Sequence, residues 1–234
     1  MKVNIKSLLK RNQVAIHVWG PQACFTIPWT GSGGNSMSFP VITGSAARGI
    51  LGAIYAHPHD LHDANGNPTY VKNFDWVIDK ILILSPIQFG KSFGINRRKG
   101  PGGEPNGYIR SPKQITILND VSYIIIGHPH IVTHRNKNDL EKYKSIFNRR
   151  CENKTAYTQP HFGWAKYPAQ YALSPEICET ADINMYVSGY LWKMEYDDSK
   201  SISLEHPVPL FIPMLEIKNG IINLEIYEKE KRAC

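Results

Sequence analysis

Only two stretches of this chain carry helical periodicity, and each lies between segments that read as β-strands. That order leaves few folds open. The first stretch is TGSAARGILGAIY: Thr43 or Ser45 can cap a helix running through Ala46, Ala47, Ile50, Leu51 and Ile54 to Tyr55, with Pro58 as its stop. Ile50, Leu51 and Ile54 share one stripe, which lays this helix on a sheet with Arg48 off the stripe. The second is NDLEKYKSIFNRRCEN, with Asp139 as cap, Leu140, Tyr143, Ile146 and Phe147 as apolar stripe, and bases opposite. Before the first helix, residues 13–26 alternate as a strand. FDWVIDKILILSPIQF follows as a long strand whose two faces are not cleanly separated, and QITILNDVSYIIIGHPHIV reads as a hairpin turning at Asn119-Asp120. Past Gly163 come short strands, including VSGYLWKMEYDD and VPLFIPMLEIKNGIINLEIYE, the latter turning at Asn219-Gly220. The expected class is α+β. A ferredoxin-like (RRM-like) βαββαβ domain would occupy residues 1–160, and a C-terminal antiparallel β extension residues 161–234.

Three connections stand out by composition. Residues 30–36 are rich in Gly and Ser and read as a mobile loop without the Lys-Ser/Thr ending of a phosphate-cradling loop. Residues 59–72 look like a polar insertion turning at Asn65-Gly66-Asn67-Pro68. Residues 90–112, including NRRKGPGGEPNG, read as a long basic loop, and loops of that length are usually functional or disordered. With 234 residues, 42% hydrophobic and 11% aromatic, the chain can build a core of its own. Its longest apolar runs, such as Ile124 to Ile126 and Ile81 to Leu84, fall far short of the roughly 20 residues needed to cross a bilayer. The first 20 residues lack the apolar core of a signal peptide. A soluble cytoplasmic protein with no membrane partner is expected. Four cysteines without CxxC pairing read as plain thiols.

Charge narrows the function further. The net charge is +7, and between Lys91 and Lys154 thirteen bases face five acids. Such a local excess suits a polyanion, because Lys and Arg displace the counterions condensed on phosphates. Arg48, Arg97, Arg98, Lys99, Lys144, Arg149 and Arg150 are the candidate phosphate contacts. Phe93 and Tyr108, set among these bases, are candidates to stack on single-stranded bases or to anchor the loop. A solvated basic face is the plainer alternative.

Several blocks of sequence then resemble a known family. VWGPQACFTIP, PVITGSAARGILGAIY and WVIDKILILSPIQF are similar to the N-terminal half of the Cas-five family of CRISPR-associated proteins, nearest its subtype I-C or d-type member. KYKSIFNRR followed by TQPHFGW resembles the family's second helix and next strand, and MLEIKNGIINL its final hairpin. The resemblance implies an endoribonuclease that binds the repeat hairpin of precursor CRISPR RNA and cuts at its 3′ base. It then remains on the 5′ handle beside the backbone and large subunits of a subtype I-C interference complex. The implied cleavage uses no metal or cofactor: the 2′-hydroxyl attacks, which calls for a group to deprotonate it, a cation for the phosphorane, and an acid for the 5′-oxygen.

By the same resemblance Tyr55 and Lys142 are catalytic, while the position of the family's histidine holds Tyr143. A phenol with an unperturbed pKa of about 10 is a weaker base than imidazole. Either Tyr143 acts with lysine help, or His128, His130 or His134 substitutes, or cleavage is weakened. A subunit that only caps the handle is the non-enzymatic alternative. By residue type alone Tyr55 fits a packing aromatic, Lys142 a solvated helix face, and Tyr143 the core. The cluster His57-Pro58-His59-Asp60-Leu61-His62 has the flavour of a metallo-hydrolase motif, but its Asp is displaced, and surface histidines are the better account.

Overall fold

The N-terminal residues form a short strand, β1 (Lys2–Asn4), and one helical turn, α1 (Ile5–Leu8), before β2 (Val14–Ala23) enters the main sheet. In this computed structural model, residues 1–33, 35–56, 58–62, 68–72, 74–99, 108–131, 139–195 and 208–227 are described. Along β2, Val14, Ile16 and Val18 point inward and are buried, while the residues between them are partly exposed, the period-2 pattern of a strand. After a 3₁₀ segment, Pro28–Gly33, comes α2 (Gly44–Ile54), capped by Thr43, whose Oγ1 accepts from Ala46 N at 3.1 Å. Then follow β3 (Pro58–His62), β4 (Pro68–Lys72), β5 (Phe74–Ile83), β6 (Phe89–Lys99), β7 (Tyr108–Ile131) and α3 (Asp139–Glu152). The chain continues through β8 (Gln170–Leu173), β9 (Ile177–Glu179), β10 (Met185–Glu195), β11 (Val208–Lys218) and β12 (Ile221–Asn223).

The architecture is mixed α+β and dominated by sheet. One eight-stranded sheet runs β10-β11-β12-β5-β7-β2-β8, with β6 paired to β7 beside this path. Every pairing in it is antiparallel. Helices α2 and α3 contribute Ile50, Leu51, Ile54, Tyr143 and Phe147 to one core cluster with Ile16, Trp76 and Ile125 of the sheet. Leu215, Ile217, Ile222 and Leu224 from the C-terminal strands belong to that same cluster. A smaller cluster on the opposite face joins Val3 and Ile5 to Leu82, Ile124 and Ile126.

Three sequence expectations are corrected. Asn119-Asp120 is not a hairpin turn. Residues 108–131 form one continuous strand of 24 residues, bent at Asp120, whose φ is 48°. The half before the bend pairs with β6 and the half after it with β5, while β2 pairs along the second half and across the bend to Leu118. The basic segment 90–112 is therefore largely a hairpin arm, with Phe89↔Leu118 at its base and Lys99↔Tyr108 as its last described pair. Residues 58–62 and 68–72 pair antiparallel on either side of the expected turn, whose residues 65–67 lie outside the described ones. Finally, the Gly/Ser segment is fastened at its end: Ser36 is buried, its N–H donates to Gln114 O, and its carbonyl accepts from Thr116 N.

The unclean alternation of the long strand has a local cause. The β5–β7 register slips between Ile78 and Lys80, so Phe74, Trp76 and Ile78 share the helix-side core with Ile81 and Ile83 beyond the slip. The turn at Asn219-Gly220 is as expected. Both residues have positive φ (49° and 72°), and Lys218 pairs with Ile221 across a two-residue loop. Among the described residues no helix is long and apolar enough to cross a membrane. Cys24, Cys151 and Cys178 are buried free thiols.

Candidate active site and nucleic-acid interface

The C-terminal end of α2 meets the first half of α3 through a cluster of aromatic rings. Tyr55 caps α2, its N–H donating to Leu51 O, and its carbonyl accepts from buried Trp76 Nε1 at 2.8 Å. Its ring lies 5.5 Å from Phe74 and 6.3 Å from Tyr143, centroid to centroid. Phe74 in turn packs tilted against Tyr143 at 4.6 Å, and Trp76 against Phe147 at 4.8 Å. Such pairs each contribute about 0.5–1.5 kcal/mol beyond the area they bury, so the junction is rigid. Tyr55 and Tyr143 are both buried.

Arg150, in the last turn of α3, reaches back over this junction. Its guanidinium sits 4.9 Å from the centre of the Tyr55 ring, and Nη1 donates to Ile54 O at 3.1 Å. Tyr157 N also donates to Ile54 O, and Thr158 N to Ala53 O, so the end of α2 is satisfied by the chain that leaves α3. Burial raises the pKa of Tyr55, the nearby Tyr143 phenol raises it further, and Arg150 opposes both. The Tyr55 side chain is therefore a neutral phenol at physiological pH.

The other candidates separate by environment. Lys142 and Arg149 are exposed on α3, and Lys144 is partly buried. Asp139 and Glu141 in the first turn and Arg149 and Arg150 in the last complement the helix dipole. Arg48 is not an open cation: its side chain is 13% exposed, with Nη1 3.7 Å from Asp75 Oδ2, an oxygen that Lys193 also approaches at 3.8 Å. Arg97, Arg98 and Lys99 occupy the outer half of β6, where the backbone register sets Arg97 opposite Arg110, and their side chains lie outside the described residues. The same holds for the Tyr108 side chain, for His134, and for the side chains of the histidine cluster at 57–62. Phe93, on the arm, is 73% exposed.

Two features escaped the sequence reading. Lys113 and Lys166 flank the Trp164 ring at 5.7 and 5.3 Å, and Lys166 Nζ donates to Ser92 Oγ at 3.3 Å, which extends the basic surface from the arm onto the body. Beside Trp164 runs a groove of about 450 Å³, floored by Ser45, Ala46, Gly49 and Ala53 of α2. The second is a buried acid in β5, Asp79, bonded to Gln13 and His128. A carboxylate inside the apolar run Trp76 to Leu84 was its visible signal. The described residues thus offer an exposed aromatic on the arm, lysines around Trp164, and exposed Lys142 and Arg149 on α3, residue types suited to a phosphate backbone.

Comparison with known proteins adds the relationships. A family described as "CRISPR-associated protein (Cas_Cas5)" matches residues 14–225. A protein of Mannheimia succiniciproducens named CRISPR pre-crRNA endoribonuclease Cas5d is 28% identical over 94% of this chain and 98% of its own length. A protein of the same name from Thermus thermophilus is 27% identical over 68% of this chain and 63% of its own. Among solved structures, a functionally uncharacterized protein from Streptococcus mutans superposes with a TM-score of 0.58 at 17% identity, covering 90% of this chain and 91% of its own. A CRISPR-associated protein superposes with a TM-score of 0.57, also at 17% identity, over 90% of each chain. These two likenesses concern the fold.

Proposed function

Because the chain belongs to the Cas5 family of CRISPR-associated proteins, we propose that it is a precursor CRISPR RNA endoribonuclease of the d-type. In this reading it binds the repeat hairpin in the cytoplasm, cuts once at the 3′ base without a metal, and stays on the 5′ handle within a subtype I-C interference complex. The observation that carries it is the end-to-end likeness to a relative named for that activity. The body, residues 1–160, is read as a ferredoxin-like RNA-processing domain, and 161–234 as its β extension. The strand order β8-β2-β7-β5, with α2 and α3 sharing one core cluster, supports the ferredoxin-like assignment.

Within this proposal the cut lies over the junction of α2 and α3. Lys142 supplies the cation that offsets charge on the phosphorane. Arg149 and Arg150 hold flanking phosphates, with Arg97, Arg98, Lys99 and Lys144 contributing to the track and Arg48 holding its edge through Asp75. Tyr55, kept neutral by burial, positions the attacking 2′-hydroxyl as a hydrogen-bonding group instead of removing its proton. Tyr143 packs on Phe74 and Tyr55 and shapes the first turn of α3. Because that packing aromatic stands where the family has histidine, the handle-capping subunit is the second reading.

One experiment separates the two. The purified chain is incubated with labelled repeat RNA in EDTA. A single cut leaving a 2′,3′-cyclic phosphate is expected, and RNA bound but uncut would favour the handle-capping reading. Under single-turnover conditions Tyr55→Phe is expected to slow cleavage by about 10²-fold with RNA affinity unchanged. Cleavage by Tyr55→Phe at the wild-type rate would remove Tyr55 from the chemistry.

A further inference from the structure

Trp164 stands between the basic arm and α2. Its indole Nε1 donates to Thr26 Oγ1 at 2.8 Å, which fixes the ring. The Lys113 and Lys166 ammoniums lie 5.7 and 5.3 Å from the ring centre. Both are tied to the arm: Lys113 sits on β7 opposite Gly94, and Lys166 Nζ donates to Ser92 Oγ. Among the described residues neither lysine pairs with a carboxylate. Two ammoniums without a counter-ion at one indole leave a local positive potential for an anion to answer.

The groove of about 450 Å³ beside this ring falls within the roughly 300–1,000 Å³ of small-ligand clefts. Neither lysine lines it, so the part of the ring that forms its wall is uncovered. Its floor runs from Ser45 to Ala53, in the last turn of α2. Ser45 and His161 bring a hydroxyl and an imidazole to it. Cys24, buried at its wall, registers the local field. Burial pushes the pKa of that thiol up, while the Thr26 hydrogen bond and the charges of Lys166 and Lys113 pull it down. The lysines thus act on the groove without lining it.

Gly49, in the middle of the floor, is not required by the chain itself. Its backbone is not left-handed, and a Cβ built there would meet nothing within 4 Å. Glycine inside a helix is less favourable than alanine, so the bare position keeps the floor open at the expense of α2. We propose that the groove holds one unpaired nucleotide of bound RNA, an inference that rests on the RNA-processing reading above. The nucleobase stacks on Trp164 and lies over Gly49, while Lys113 and Lys166 meet its phosphate. Stacking accepts any nucleobase, since each has a π-face. Ser45 and His161 offer hydrogen bonds to its polar edge.

The test is binding of labelled repeat RNA, with its single-stranded flanks, by the full chain. Gly49→Leu is the decisive variant, because its side chain has room in the free protein and fills the groove. It is expected to melt no lower than wild type and to bind about tenfold more weakly, within the range for losing one base–aromatic stack. Trp164→Leu, which removes the stacking face from the opposite wall, is expected to give a similar loss. Abasic nucleotides placed one at a time outside the stem are expected to find a position where wild type loses the same tenfold and Gly49→Leu loses nothing more. Wild-type affinity in both variants overturns the proposal, as does the absence of any such coupled position. An equal loss on a blunt, fully paired stem overturns it too. These three results leave the nuclease reading intact, whereas a wild-type chain that does not bind repeat RNA removes both.

Discussion

Arg149 and Arg150 are neighbours in sequence and share a charge, yet they occupy different physical situations. Arg149 is exposed, whereas Arg150 lies over the Tyr55 ring and donates to the last carbonyl of α2. Arg149→Ala is therefore a clean probe of RNA binding. Its expected effect is a weaker complex, a slope of log affinity against log salt shallower by about 1, and an unchanged unfolding midpoint. Arg150→Ala is expected to lower stability as well, by about 1–2 kcal/mol, through the lost cation–π contact and charged hydrogen bond. The figure stays modest because Tyr157 N still satisfies the Ile54 carbonyl. Urea unfolding of both variants at constant slope checks the distinction, and equal stabilities would show that Arg150 does no structural work. Nothing in the local sequence separates these two arginines. Their difference is set by where α3 crosses the end of α2, a tertiary fact.

At the scale of elements, the 24-residue strand β7 depends on its bend. Asp120 holds a φ of 48°, a left-handed conformation that Asp tolerates and a β-branched residue resists. Asp120→Val is expected to destabilise the fold by about 1–2 kcal/mol and Asp120→Gly to be nearly neutral, measured by thermal and denaturant unfolding. The same element marks the limit of what the sequence could disclose. Asn119-Asp120 reads as a hairpin turn and is instead a bend with positive φ at Asp120 alone, because a local signal cannot say whether the chain folds back or merely turns aside. The outcome depends on β2, β5 and β6, whose pairing partners lie far apart in the chain. The Gly- and Pro-rich segment 90–112 concealed a hairpin because backbone ladder bonds do not require apolar side chains. Signals that are local in cause fared better: the Thr43 cap, the stripe of α3 and the Asn219-Gly220 turn are where they were expected. The burial of Tyr55 and Tyr143 agrees with their reading by residue type as a packing aromatic and a core residue, and the structure adds the partner, Phe74 of β5, whose ring packs near both.

Across the whole molecule, the C-terminal strands are fastened to the body by charge as well as by sheet. Glu225, 14% exposed, receives Lys10 Nζ at 2.5 Å and faces Lys80 Nζ at 3.6 Å. Partial burial pushes its pKa up, but the hydrogen bond from Lys10 and the charge of Lys80 outweigh that and hold it below the ordinary value of 4.5. A depressed acid stabilises the fold above its unfolded pKa and loses that contribution as pH falls through the folded one. Glu225→Gln is therefore expected to melt below wild type at pH 7, and the gap should close as pH falls from the unfolded pKa through the depressed folded one. A gap independent of pH would assign the loss to packing. The pairing of β12 with β5 has a further consequence, in the time the chain takes to be made. About 140 residues separate Ile83 from Ile221, so at 5–20 residues per second the ribosome delivers the covering strand roughly 7–28 s after the strand it covers. For that interval the nascent chain carries an open sheet edge beside the apolar run from Ile81 to Leu84. Whatever shields that edge during translation, a chaperone or the chain's own later strands, sets how much of the protein escapes aggregation.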